Sequence, residues 1–444
     1  MTSRLGLALC LLVAPAACGS RSDSPPPPPA AAIPAQPAPV DSGKAGARTG
    51  LPLGGKATPE PSARATEPDT VTPSLCPIGG QSPDPDAVLD EASRLLYDAG
   101  NYSGALACAD LAVDLVPQAV EAHHYRAAAL AALGRYGEAQ VGFAMALARD
   151  PDDPETLAAA SDFYINIAQP KQRSAIQLGL EYARRGSGRA ASRRRLDRQL
   201  RARLALLEAE ALNDLGESDA ALPRVEAALK LAPQDASALH ERGVSLFSMC
   251  RFKEAEVAFN AVLRAQPDDP YAHYHLGLIA EREGRTREAD ERFSRARALA
   301  PDDFPPPVQV TSAEFDAEVK KAIAEQPPAV RDELGQISLE LVDLPALDDL
   351  VAVEPPFAPT IMGLYRGLPL AQEAHGSGRA GGSTRRADPA EPIPPRAIVL
   401  YRKNLIRAVK SRAELDRQIR RTLIHEIGHL QGLDEDELRR RGLE

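Results

Sequence analysis

The sequence predicts an α-solenoid of stacked helical hairpins followed by a small α+β domain and preceded by a disordered tether. Helix-closing prolines recur at a spacing of 34 residues, as in a stacked repeat array. Beyond the proline run 305–307, strand-like alternation lies between two amphipathic helical patterns. Residues 18–83 are rich in Pro, Ala, Ser and Gly and hold too few large apolar side chains to offset the entropy of ordering. With 444 residues the chain is long enough for two or three domains, and a net charge of −10 argues against nucleic acid as a general partner.

The first 17 residues read as an export signal: Arg4, an apolar run from Leu5 to Val13, then small residues to Ala17. The run is too short to span a bilayer as a mature helix. Ala16, Ala17, Cys18 and Gly19 resemble a bacterial lipobox, which implies lipidation at Cys18. Pro15 departs from that box, so cleavage after a small residue to give a secreted or periplasmic soluble protein is the alternative. The 18–83 tether would hold the folded part away from the envelope membrane. Of the remaining cysteines, Cys76 and Cys108 could form a bridge in an oxidising compartment, although packing inside helices is the favoured role for Cys108 and Cys250.

The array is expected over 84–304. Pro117 and Pro151, then Pro233, Pro267 and Pro301, close helices at the 34-residue period. Gly100, Gly134, Gly216 and Gly284 recur ahead of Ala105, Ala139, Ala221 and Ala289, while Cys250 takes the glycine slot before Ala255. These units resemble tetratricopeptide repeats, which implies a superhelix whose groove receives a protein or peptide partner. The 82-residue gap between Pro151 and Pro233 holds a divergent unit, with helices near Glu155–Ile167 and Ser174–Arg185 and a long helix from about Arg193. Nine arginines between Arg184 and Arg203 face one acid, Asp197. They suit either a solvated helix face, the favoured reading, or an acidic partner or lipid headgroup.

The domain expected over 308–444 begins with a helix capped by Ser312 and carrying Phe315, Val319 and Ile323 on one face. Ile337, Leu339 and Leu341 alternate with Ser338 and Glu340 as in a strand, and residues 360–370 and 397–402 are further strand candidates. Residues 373–395 read as a loop. Ser411 and Glu414 then open a helix with Leu415, Ile419, Leu423 and Ile427 on its apolar face. Off that face lie His425 and His429, four residues apart and therefore able to aim imidazoles at one ion. Glu426 between them suits general-base work, taking a proton from an attacking water. Gly432 lets the chain turn back, bringing Asp434, Glu435 and Asp436 within reach as a third ligand.

The stretches from Phe315 to Ile323, from Gly363 to Leu370, from Ile398 to Leu405 and the terminal HEIGHLQGLDE resemble the bacterial minimal zincin-like metallopeptidase family. The resemblance implies a compact zincin fold, zinc at His425 and His429, and Glu426 as the catalytic acid/base. The family's extended motif places an acid three residues beyond the glycine, at Glu435, with Asp434 as the alternative. The function expected is an envelope-anchored zinc peptidase whose repeats recruit a protein partner or substrate. A scaffold lipoprotein with a structural or inactive metal domain is the alternative. Tyr365 and Tyr401 are conceivable oxyanion partners, although strand aromatics more often serve packing.

Overall fold

The computed structural model describes residues 75–78, 83–190, 196–367 and 395–443. The export signal, Cys18, most of the tether and most of the 373–395 loop lie outside them. Six helical hairpins come first. They are α1 (Pro85–Ser93) with α2 (Tyr102–Leu115), α3 (Val120–Ala132) with α4 (Tyr136–Arg149), and α5 (Pro154–Asp162) with α6 (Arg173–Arg185). Next come α7 (Arg198–Leu215) with α8 (Ser218–Leu231), α9 (Ala236–Ser248) with α10 (Phe252–Ala265), and α11 (Pro270–Arg282) with α12 (Thr286–Leu299).

Local chemistry sets each hairpin. Asp153, Asp235 and Asp269 cap α5, α9 and α11 by accepting the N–H three residues on. The helix-closing prolines stand two residues beyond the ends of α2, α4, α8, α10 and α12. Between paired helices the chain enters left-handed backbone at Gly100, Gly134, Gly216 and Gly284, with φ of 62°, 75°, 84° and 74°. Cys250 adopts the same conformation, φ 60°, so the slot is kept without its usual residue at a steric cost of about 1–2 kcal/mol. Small residues let helices approach: Ala105, Ala139, Ala221, Ala255 and Ala289 are buried. A Cβ on Gly243 would lie 2.6 Å from the Phe259 ring, and one on Gly277 2.7 Å from that of Phe293.

The divergent unit is built as a hairpin plus a longer helix. α7 begins at Arg198 rather than Arg193, and residues 191–195 lie outside the described part. Three of its arginines are tied within the array: Arg185 to Asp152, Arg203 to Asp162, and Arg198 to the Leu231 carbonyl. Cys76 and Cys108 form a disulfide, so Cys108 is both buried and bonded, where packing alone was the favoured expectation.

The second domain runs α13 (Ser312–Ala324), α14 (Pro328–Leu334), β1 (Ser338–Val342), α15 (Leu347–Leu350), β2 (Gly363–Arg366), β3 (Ala397–Tyr401), α16 (Arg402–Arg407), α17 (Arg412–Leu430) and α18 (Glu435–Arg440). Thr311, not Ser312, caps α13, through a reciprocal box with Glu314, and Ser312 instead accepts from Arg402. The sheet has the order β1–β3–β2, with β1 parallel and β2 antiparallel to the central strand. All five residues of β3 are buried, as a strand covered on both faces requires. Ile398 and Leu400 pack with Leu339, Leu341, Phe315, Val319 and the Leu415–Ile427 stripe of α17. Val399 and Tyr401 point the other way, onto Leu350, Ile361 and Phe357, where Cys250 of the repeats joins them.

The two domains therefore share an interface. Glu281 at the end of α11 holds both Lys403 and Arg407 of α16. Arg282 donates to the Pro345 carbonyl, and the Arg407 guanidinium lies over the Phe293 ring.

Candidate metal centre

Helix α17 starts at Ser411, whose hydroxyl accepts from the Glu414 N–H at 3.2 Å, while the Glu414 carboxylate takes the Lys410 N–H. Its buried stripe seats it under β3 and β2 and leaves His425 and His429 half-buried on an adjoining face. The two rings stand nearly perpendicular, with centroids 4.8 Å apart and Nε2 atoms 3.2 Å apart.

The helix ends at Leu430 with Gln431 as its C-cap, and Gly432, with φ 91°, reverses the chain. The Leu433 N–H returns to the Gly428 carbonyl and the Gly432 N–H to that of His429. This is a Schellman motif, which the sequence indicated only as a turn. The acids that follow do not form a loose cluster, because they open helix α18. Asp434 caps it by accepting the Glu437 N–H at 2.8 Å, and Asp436 pairs with Arg439 on the surface. Glu435 alone turns inward, its Oε1 3.1 Å from His429 Nε2 and 3.6 Å from His425 Nε2. α18 fits closely because residue 428 is glycine: a Cβ there would meet Leu438 Cδ2 at 2.4 Å.

The Nδ1 atoms of both histidines face backbone carbonyls, His429 at 3.0 Å from Leu433 O and His425 at 3.1 Å from Leu443 O. Each imidazole thus uses Nδ1–H for orientation and presents Nε2 to the common point. Burial disfavours charge on His425, but its bond to Glu435 and the fields of Glu426 and Glu435 outweigh this and push it up to about 9. His429 is raised by the same partners against the same burial. Burial also opposes charge on Glu435, yet the two imidazoles prevail and hold it down to about 2. These shifts describe a pocket whose field favours positive charge.

Glu426 is 5 % exposed, and burial raises its proton affinity while the neighbouring imidazoles lower it. It accepts the Tyr365 N–H from the free edge of β2. Gly363 on the same strand admits the carboxylate: a Cβ there would lie 2.7 Å from Glu426 Oε1. The sequence carries no signal of this support from β2, because no local pattern says that a glycine 63 positions earlier faces Glu426. Tyr401 is buried in the opposite face of the sheet, and its hydroxyl has no hydrogen-bond partner among the described residues. Tyr365 packs against the main core with its ring, so strand packing is the role seen for both.

Residues 334–443 match the family described as zincin-like metallopeptidase. Residues 91–154 and 212–281 match two tetratricopeptide-repeat families. The chain is a tetratricopeptide-repeat protein carrying a zincin-like metallopeptidase domain. No curated protein matches it. Among solved structures, the array is similar to PilW, described as a widely conserved type IV pilus biogenesis factor: 17 % identity, 50 % of this chain, 96 % of that one, TM-score 0.43. It is also similar to Pseudomonas aeruginosa PilF, at 16 % identity over 53 % of this chain and 97 % of that one, TM-score 0.42. YrrB, described as a repeat protein with an unusual peptide-binding site, shows 19 % identity over 44 % of this chain and 93 % of that one, TM-score 0.34. Such arrays are protein- or peptide-interaction scaffolds.

The donor set of the zincin-like domain fits a zinc ion. One atom each from His425, His429 and Glu435 lie within 4.8 Å of one another. Two imidazole nitrogens bound tetrahedrally at 2.0–2.1 Å would stand about 3.3 Å apart, close to the separation seen. Glu435 Oε2 is buried without a hydrogen-bond partner among the described residues, as expected of a carboxylate shaped for an ion.

Proposed function

We propose that the protein is an exported zinc peptidase, anchored through lipid at Cys18, whose repeats recruit a protein partner or substrate. The convergence of two imidazole Nε2 atoms and the Glu435 carboxylate beside the buried Glu426 carries this reading. His425, His429 and Glu435 would hold zinc, leaving one position for substrate or water. When bound, zinc supplies a Lewis acid that polarises the scissile carbonyl.

The chain's own residues perform the proton work. Glu426 takes a proton from the attacking water as its oxygen bonds to the carbonyl carbon, and then delivers it to the leaving amine as the C–N bond breaks. Burial suits Glu426 to this, since a carboxylate with raised proton affinity is the stronger base. The Tyr365 N–H keeps it aimed while the proton moves. The decisive experiment is Glu426→Gln, which should keep stoichiometric zinc and lose peptide hydrolysis by several orders of magnitude. A wild-type protein that holds zinc and cleaves nothing in a broad peptide library would support the scaffold reading instead.

The Cys76–Cys108 disulfide suits an oxidising compartment and supports export. Among the described residues no helix is long and apolar enough to cross a membrane. The anchor is tested by radiolabelled fatty acid, which should enter the wild type and not Cys18→Ser.

A further inference from the structure

Two glycine–leucine pairs, Gly432–Leu433 and Gly442–Leu443, do the same work at the ends of successive helices. After α18 the Leu443 N–H returns to the Leu438 carbonyl and the Gly442 N–H to that of Arg439, a second Schellman motif with Gly442 at φ 68°. In both motifs the carbonyl of the leucine faces the Nδ1 of a site histidine: Leu433 serves His429, and Leu443 serves His425. The first pair lies inside the extended histidine motif. The second lies seven residues beyond Glu435, and its reach to His425 crosses 18 positions of sequence.

We infer that α18 is a bracket for the metal site: its first residue supplies Glu435, and its C-terminal turn positions the Leu443 carbonyl to fix the tautomer and ring angle of His425. Without an acceptor at Nδ1, the ring could rotate or carry its proton on Nε2, and either change removes the nitrogen that faces Glu435. Leu438 seated against Gly428 holds the bracket to α17, and left-handed backbone at Gly442 aims its end. Leu443 is a positioning residue acting through His425. The inference rests on the zinc reading of the site.

Four forms of the full chain separate the possibilities: wild type, truncation after Arg441, Glu435→Ala, and both changes together. Zinc affinity is read by chelator competition, with folding followed by circular dichroism. Truncation should weaken zinc binding about 10–100-fold, the loss usual for an outer partner of a ligand, in both the wild-type and Glu435→Ala backgrounds. Unchanged affinity on truncation overturns the inference. So does a loss seen only when Glu435 is present, since the turn would then merely seat that carboxylate. A wild type that binds no zinc removes the metal reading itself, and the His425 contact is then judged separately by nitrogen-15 NMR. That spectrum should show an exchange-protected proton on His425 Nδ1 with a cross-relaxation signal to Leu443. Its absence from the wild type overturns the assignment even where the truncated chain does not fold.

Discussion

Glu435 and Asp436 adjoin each other, yet their surroundings differ. Glu435 lies against both imidazoles, whereas Asp436 is on the surface with Arg439. Glu435→Ala should therefore weaken zinc binding by one to several orders of magnitude, about 1.4 kcal/mol for each tenfold loss. Asp436→Ala should leave the affinity within twofold of wild type in the same titration. Asp434→Ala should instead remove a helix cap, at about 1 kcal/mol of stability. Gly363 makes a second residue-scale test. A methyl group at 363 collides with the Glu426 carboxylate and, as closely, with the Thr422 methyl, both at 2.7 Å, so Gly363→Ala should lower kcat by roughly 10²-fold with zinc content unchanged. Normal turnover in that variant would show that Glu426 has room to move and that β2 does not aim it. The histidine pair and Glu426 were legible from spacing alone, because four residues on a helix define one face. The role of Gly363 was not, because it depends on which strand forms the sheet edge.

Among the elements, the repeats are specified locally and densely. Proline closure, aspartate caps and left-handed turns each act within a few residues, so the hairpins could be read in order. Cys250 shows that the slot outlasts its glycine, because surrounding packing imposes the backbone conformation. Overpacking tests the same logic. Gly243→Ala places a methyl against the Phe259 ring and should cost about 1–3 kcal/mol, read as a lowered urea midpoint. The helix α13 adds a pH dependence. Glu314 is held down to about 2 by the Thr311 backbone N–H, then by Arg412 and the Thr311 hydroxyl. A lowered carboxyl stabilises the fold above its unfolded value near 4.5 and loses that contribution as pH falls through about 2. Glu314→Gln should thus be less stable than wild type at pH 7, with the difference shrinking at pH 3 in parallel urea titrations. Helix α18 escaped the sequence reading, since an acidic stretch after a glycine looks like a solvated turn until Leu438 is seen to be buried against Gly428.

At the scale of the molecule, the proline run 305–307 separates two architectures but does not leave them apart. Glu281 binds Lys403 and Arg407 in a partly buried cluster, with side chains 13 %, 35 % and 19 % exposed. Removing its carboxylate leaves Lys403 with Asp343 alone, at 3.8 Å, and Arg407 with the Phe293 ring, and forfeits charge-assisted hydrogen bonds of about 1.5–3 kcal/mol each. Glu281→Ala should split a single calorimetric transition into two as the zincin-like domain melts independently of the repeats. One unchanged transition would show that the apolar contacts of Cys250 and Phe357 suffice. The helix that bears Glu281 thus links the array to α16, which directly follows the central strand.

By itself the sequence determined the repeat architecture, the helix carrying the histidines and the sharing of one helix face by His425 and His429. These depend on periods of a few residues and on backbone limits imposed by proline and glycine. Tertiary structure decided which acid faces the histidines, which strand edge holds Glu426, which carbonyl orients His425 and where the two domains meet. Each of those pairs groups that are distant along the chain or indistinguishable by local composition. Only packing, through the volume left by Gly363 and Gly428 and the burial of Leu438, selects one partner from several chemically equivalent candidates.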